Sequence, residues 1–130
     1  MSPFDLIALK QKVGVEYANE VALYILCHFD AAKRGLCGVP GFNFISLHLV
    51  QAQYIFVRLK MQSALAIIQR AGEAWGKASA RPGDKASLTT TEYTAMRAGR
   101  RAYLLALPRV EAGLYAQAHE AATKIMEKQG

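Results

Sequence analysis

Apolar side chains recur at helical spacing in three long stretches of this 130-residue chain. In the first, Leu6, Leu9, Val13, Tyr17, Tyr24 and Cys27 follow one another at intervals of three, four or seven, and Val21, Ile25, Phe29 and Ala32 line a second side. Ser2 suits an N-cap, Pro3 the first helical position and Asp5 the first turn, where the helix dipole favours negative charge. These signals predict a helix over about 3–34, bent at Gly14 and stopped at Gly35. Residues 35–44 then hold three glycines and Pro40 and read as a loop.

The second stretch has the strongest periodicity. Leu47, Tyr54, Met61, Ile68 and Trp75 are spaced by seven, and Val50, Val57, Ala64 and Ala71 follow three residues behind each. That is a coiled-coil-like heptad seam. Leu49, Phe56, Leu59 and Ile67 make a second apolar stripe, so one helix over 46–79 is expected at the centre of the fold. Arg81-Pro82-Gly83-Asp84 opens a second loop, and Thr89-x-x-Glu92 has the form of a capping box. Met96, Tyr103, Leu107, Leu114, Ala121 and Ile125 keep helical phase across Pro108, which predicts a third helix over 90–128, kinked at that proline.

Three segments joined by two loops predict a single all-α domain over 1–130, an elongated antiparallel three-helix bundle. Each rod would be about 45–55 Å long at 1.5 Å per residue. Ala95, Ala98, Gly99, Ala102 and Ala106 form a small-residue face suited to close helix–helix approach. More apolar stripes than one core requires favour a homodimer.

Composition agrees with a globular helical chain: 52% hydrophobic, 20% charged and only four prolines. The longest apolar stretch, Val21–Phe29, is too short to cross a membrane. Without a secretory signal and with two cysteines, Cys27 and Cys37, a cytoplasmic protein is expected.

Signatures of catalysis are absent from the pattern. His28, His48 and His119 are far apart in sequence, Cys27 and Cys37 have no second pair, and no nucleophile elbow or phosphate-binding loop occurs. Glu16 and Glu20 share a helix face, as solvated carboxylates commonly do. Neither a metal nor a cofactor is expected, and the chain reads as non-enzymatic.

Charge changes the picture more. The net charge is +6, yet Arg58 to Arg109 alone contains ten cations against Glu73, Asp84 and Glu92. In an antiparallel bundle Arg70, Lys77, Arg81, Lys85, Arg97, Arg100 and Arg101 gather at one pole, joined by Lys10 and Lys12. Such a cluster is the electrostatic footprint of phosphate contacts, with Tyr93 and Tyr103 as stacking surfaces or core. Arg100 and Glu111 interrupt the apolar stripe of the third helix, and each needs a partner or solvent. The expected function is a helical module that binds nucleic acid or a nucleoprotein complex. The alternative is an adaptor or inhibitor of mobile-element or phage type, acting on a nucleic-acid-handling machine. It would use Leu36, Val39, Phe42 and Phe44 of the first loop, or dock through charge on an acidic protein surface.

Overall fold

A computed structural model describes residues 11–36, 38–81 and 88–129, the side chain of the last excepted. Within them the chain forms five α-helices: α1 (Val15–Lys33), α2 (Val39–Arg58), α3 (Gln62–Ala80), α4 (Thr90–Ala106) and α5 (Ala112–Gln129). A short 3-10 turn, Leu107–Arg109, joins the last two. The all-α class expected from the periodicity holds; the three-rod architecture does not. The expected helix start at Ser2–Asp5, Lys10, Cys37 and the Pro82–Asp84 break lie outside the described residues.

Each rod departs from expectation for a local reason. The first does not bend at Gly14: that glycine is the N-cap of α1 at φ 86, and the helix begins at Val15. The loop assigned to 35–44 is shorter than its glycines suggest. Gly35, at φ 73, closes α1, while Gly38 caps α2 and Pro40 occupies its first turn, where a missing N–H costs nothing.

The central rod is cut in two between Arg58 and Gln62. The Met61 N–H donates to the Phe56 carbonyl at 3.0 Å and the Lys60 N–H to the Val57 carbonyl at 3.2 Å. This pair of bonds is a Schellman cap with Lys60, φ 56, in the left-handed position that glycine usually fills. Folding back there lets two apolar faces share one core. Ile45, Leu49, Ala52, Ile55 and Phe56 of α2 are buried together with Ile68, Ala71, Ala74, Trp75 and Ala78 of α3. The Trp75 indole N–H donates to Ser46 Oγ at 2.9 Å, which fixes the antiparallel register of this hairpin.

At Pro108 the helix ends rather than kinks. Proline cannot donate to the carbonyl four residues back, and its ring crowds that carbonyl. Val110 is extended (φ −78, ψ 134), so α4 and α5 are separate helices. Backbone groups freed at the break pair with the segment before α1. The Val13 N–H donates to the Val110 carbonyl at 2.8 Å and the Gly14 N–H to the Pro108 carbonyl at 3.2 Å.

The resulting packing is a pair of pairs. α3 lies along α4, α5 lies along α2, the two are joined by the α2–α3 hairpin, and α1 crosses onto α2, α4 and the 3-10 turn. Part of the predicted small-residue face makes the closest approach within the chain. A Cβ on Gly99 would stand 2.6 Å from Ala71 Cβ and 3.1 Å from Ile68 Cδ1, so the α3–α4 contact requires glycine at that point.

Candidate functional site

The basic residues of the sequence do not form a pole. The Lys12 backbone pairs antiparallel with that of Glu111, near Pro108, whereas Arg81 lies at the opposite end of α4, against Glu92. The polar cluster expected from three straight rods is replaced by a basic flank along the α3–α4 pair. The reason is the α2–α3 turn, which turns α3 back and leaves the start of α1 beside the end of α4.

On that flank the cations have different roles. Arg81 is a clamp: its Nη1 and Nη2 donate to Glu92 Oε2 and Oε1, both at 2.6 Å. The Thr89 N–H also donates to Glu92 Oε1 at 2.9 Å, and Thr89 Oγ1 accepts from the Glu92 N–H at 3.1 Å, so the predicted capping box is formed. The Arg81 guanidinium first, and then the Thr89 amide, pull the Glu92 carboxyl down to about 2. Arg81 thus closes the second loop.

Arg70 lines a shallow groove between α3 and α4 together with Thr90, Thr91, Thr94 and Ala98. Lys77, seven residues on from Arg70, shares its helix face, and Arg101 stands in the same relation to Thr94. Lys77, Arg97 and Arg101 are exposed. Among the described residues the ion pairs are Asp30–Arg34, Glu92–Arg81 and Glu120–Lys124, so Arg70, Lys77, Arg97 and Arg101 are unpaired. Arg100 turns to the other side of α4, its Cζ 5.7 Å from the Phe29 ring centroid, half-buried and remote from the exposed carboxylate of Glu111. Lys85 lies outside the described residues. Of the two tyrosines, Tyr103 is core and Tyr93 carries Lys33 Nζ 4.7 Å above its ring.

The apolar set of the first loop divides. Phe42 packs on Trp75, with ring centroids 5.5 Å apart, and Phe44 is half-buried among His28, His48 and Tyr24. Leu36 and Val39 are 59% and 68% exposed. Only these two present surface to a partner.

A second site escaped the sequence reading. His28 and His48 each lie 4.4 Å, centroid to centroid, from the Phe44 ring, and His119 lies close enough to His48 to act on its charge. The three histidines, distant in sequence, thus surround one open cleft of about 520 Å³ between α1, α2 and α5, with His48 and His119 on its walls. α1 contributes Tyr17, Glu20 and Tyr24; α2 contributes Phe44 and Leu47 beside His48; α5 contributes Tyr115 beside His119. Tyr17 and Tyr115 meet edge-to-face with their hydroxyl oxygens 3.3 Å apart.

Electrostatics here are dominated by burial. Desolvation, followed by repulsion from His119 and His28, lowers His48 to about 4, so its imidazole is neutral at neutral pH. Burial likewise pushes the Tyr103 and Tyr115 hydroxyls well above the usual tyrosine range. Buried His48 Nδ1 and the Tyr103 hydroxyl have no partner, and the enclosed Gln51 amide reaches at most the Tyr115 hydroxyl. Gln51 adjoins Tyr115, and Tyr103 lies 6.1 Å from His48, ring to ring. One signal in the sequence could have located this cleft. Tyr17, Tyr24 and His28, then Phe44 and His48, then Tyr115 and His119 repeat at one- or two-turn spacing on three separate helices. Among the described residues no group of three or more histidine, cysteine or carboxylate side chains is placed to hold a metal ion. No described helix is long and apolar enough to cross a membrane.

Comparison with known proteins finds no match: no protein-family model, no curated protein and no solved structure resembles the chain.

Proposed function

We propose that the protein is a non-enzymatic helical module that binds nucleic acid, alone or within a nucleoprotein complex, along the flank of α3 and α4. The single observation that carries this reading is the set of unpaired cations on one helix pair: Arg70, Lys77, Arg97 and Arg101, beside a groove lined by threonine hydroxyls. Unpaired guanidinium groups next to hydroxyl donors suit phosphate oxygens, and contacts of this kind position a backbone without reading its sequence. Arg81 supports the site from behind by holding the start of α4. Arg100 does not belong to it.

The test is fluorescence anisotropy with short RNA, single-stranded DNA and duplex DNA between 50 and 200 mM salt. With four phosphate contacts, log K for duplex should fall against log salt with a slope of about −3 to −4. The double variant Arg97→Glu, Arg101→Glu should bind at least ten times more weakly at the low-salt end. Absence of binding at 50 mM salt would sink the proposal.

An adaptor or inhibitor remains the second reading, supported by exposed Leu36 and Val39 at the α1–α2 turn. Its variants are Leu36→Asp and Val39→Asp. Substituting Phe42 or Phe44 would instead disturb the core or the cleft. Loss of a protein partner with retained nucleic-acid binding would separate the two readings.

A further inference from the structure

We propose that the cleft between α1, α2 and α5 is a binding site for a small, flat aromatic amine. Its volume of about 520 Å³ suits a small organic molecule, and its composition defines the kind. The rings of Tyr17, Tyr24, Phe44 and Tyr115 offer faces and edges to a planar apolar body. Among the described residues Glu20 is the only carboxylate on the walls, no lysine or arginine lines them, and Glu20 has no ion pair. A cationic group at its carboxylate is therefore favoured, and an anionic ligand meets nothing to balance it. The cleft is thus opposite in character to the α3–α4 flank.

Polar atoms behind the walls supply the second argument. Buried donors and acceptors in native proteins nearly always have partners, and leaving one unmet is costly. Here the His48 Nδ1 and the Tyr103 hydroxyl are unmet in one neighbourhood, and the wholly buried Gln51 amide has at most the Tyr115 hydroxyl to meet. His48 itself lines the cleft with its imidazole neutral; its Nδ1 is enclosed, so Nε2 is the ring nitrogen left to face a ligand. A ring N–H or O–H on the ligand body would meet it while the ammonium group meets Glu20.

Tryptamine and indole-3-propionate test this, because they share a ring and differ in the sign of the side-chain charge. Titrations followed by calorimetry, and by the imidazole proton resonances of the full-length protein, give affinity and location together. Tryptamine should bind one site, shift the His48 and His119 resonances, and bind at least tenfold more tightly than indole-3-propionate. Glu20→Gln, an exposed change compatible with folding, should remove most of that preference. Leu47→Trp, which fills the cleft, should abolish binding; its helical circular dichroism would verify the fold. The proposal is overturned if tryptamine fails to bind at millimolar concentration, if the carboxylate binds equally well, or if Glu20→Gln leaves the ratio unchanged. Shifts confined to residues outside the cleft would overturn it too. None of these results depends on nucleic-acid binding, which uses a different face.

Discussion

Between α3 and α4, Gly99 admits the neighbouring helix so closely that one added carbon would stand 2.6 Å from Ala71. Between α1, α2 and α5 the spacing elements are rings, and the His48 Nδ1 and Tyr103 hydroxyl are enclosed without partners. The first region is built for rigidity: small residues give close backbone contact, and the Arg81–Glu92 clamp with its capping box ties the loop end. The second gives up part of its packing and hydrogen bonding. Proteins tolerate such concessions mainly where a site is made. The contrast teaches that one helical chain of this size can hold a stiff, basic flank and a looser, ring-lined cleft with a carboxylate on its wall side by side.

Acidification should separate the two regions most strongly. His48 is lowered to about 4 in the fold against an ordinary 6.5, so the unfolded chain takes up the proton first. The stability this group contributes is complete above pH 6.5 and declines as pH falls from 6.5 to 4, on the order of 3 kcal/mol in all. Urea denaturation across that range checks it, and His48→Phe should flatten this part of the profile. If the slope survives in the variant, the pH sensitivity resides elsewhere.

Gly99→Ala probes the rigid side. Overpacking costs about 1–3 kcal/mol, and the better helix propensity of alanine returns about 1 at most. A net loss near 1–2 kcal/mol in denaturant midpoint is expected. A stabilised variant would mean that α3 and α4 can separate without penalty, which would remove the contrast.

Gln51→Leu should have the smallest effect and the opposite sign. Removing an enclosed amide that meets at most the Tyr115 hydroxyl leaves stability unchanged or raises it, by up to about 1–2 kcal/mol. A marked loss on thermal unfolding would show that the amide is satisfied, by water or a bound molecule, and would place that molecule behind Tyr115.

Much of the class and some of the boundaries were legible in the residues. The capping box at Thr89 and Glu92 and the stop at Gly35 are written in side chains that act locally, and they were read correctly. The break at Lys60 was not, because a lysine carries no turn signal and the heptad runs through it in phase. Only the burial gained by laying α3 against α2 explains why the chain accepts a left-handed lysine there. At Pro108 the opposite occurred: the signal was visible, but the unbroken apolar phase outweighed it. Among the basic residues, sequence alone could not tell the clamp Arg81 and the ring-facing Arg100 from their unpaired neighbours. The cleft was hidden because its parts come from three helices, and no single stretch carries as much as half of it.

The position of α5 has a further consequence. Tyr115 and His119 form one wall of the cleft, yet they pack against α2, from which two whole helices separate them in sequence. That wall follows the other two in the chain, and the Tyr17–Tyr115 contact across the cleft joins residues 98 apart in sequence. A nascent or C-terminally clipped chain would already carry its basic flank but would lack a complete cleft. Any molecule held there draws on the docking of α5 and reinforces it. Occupancy of the cleft would then register copies in which α5 is docked and pass over those in which it is not.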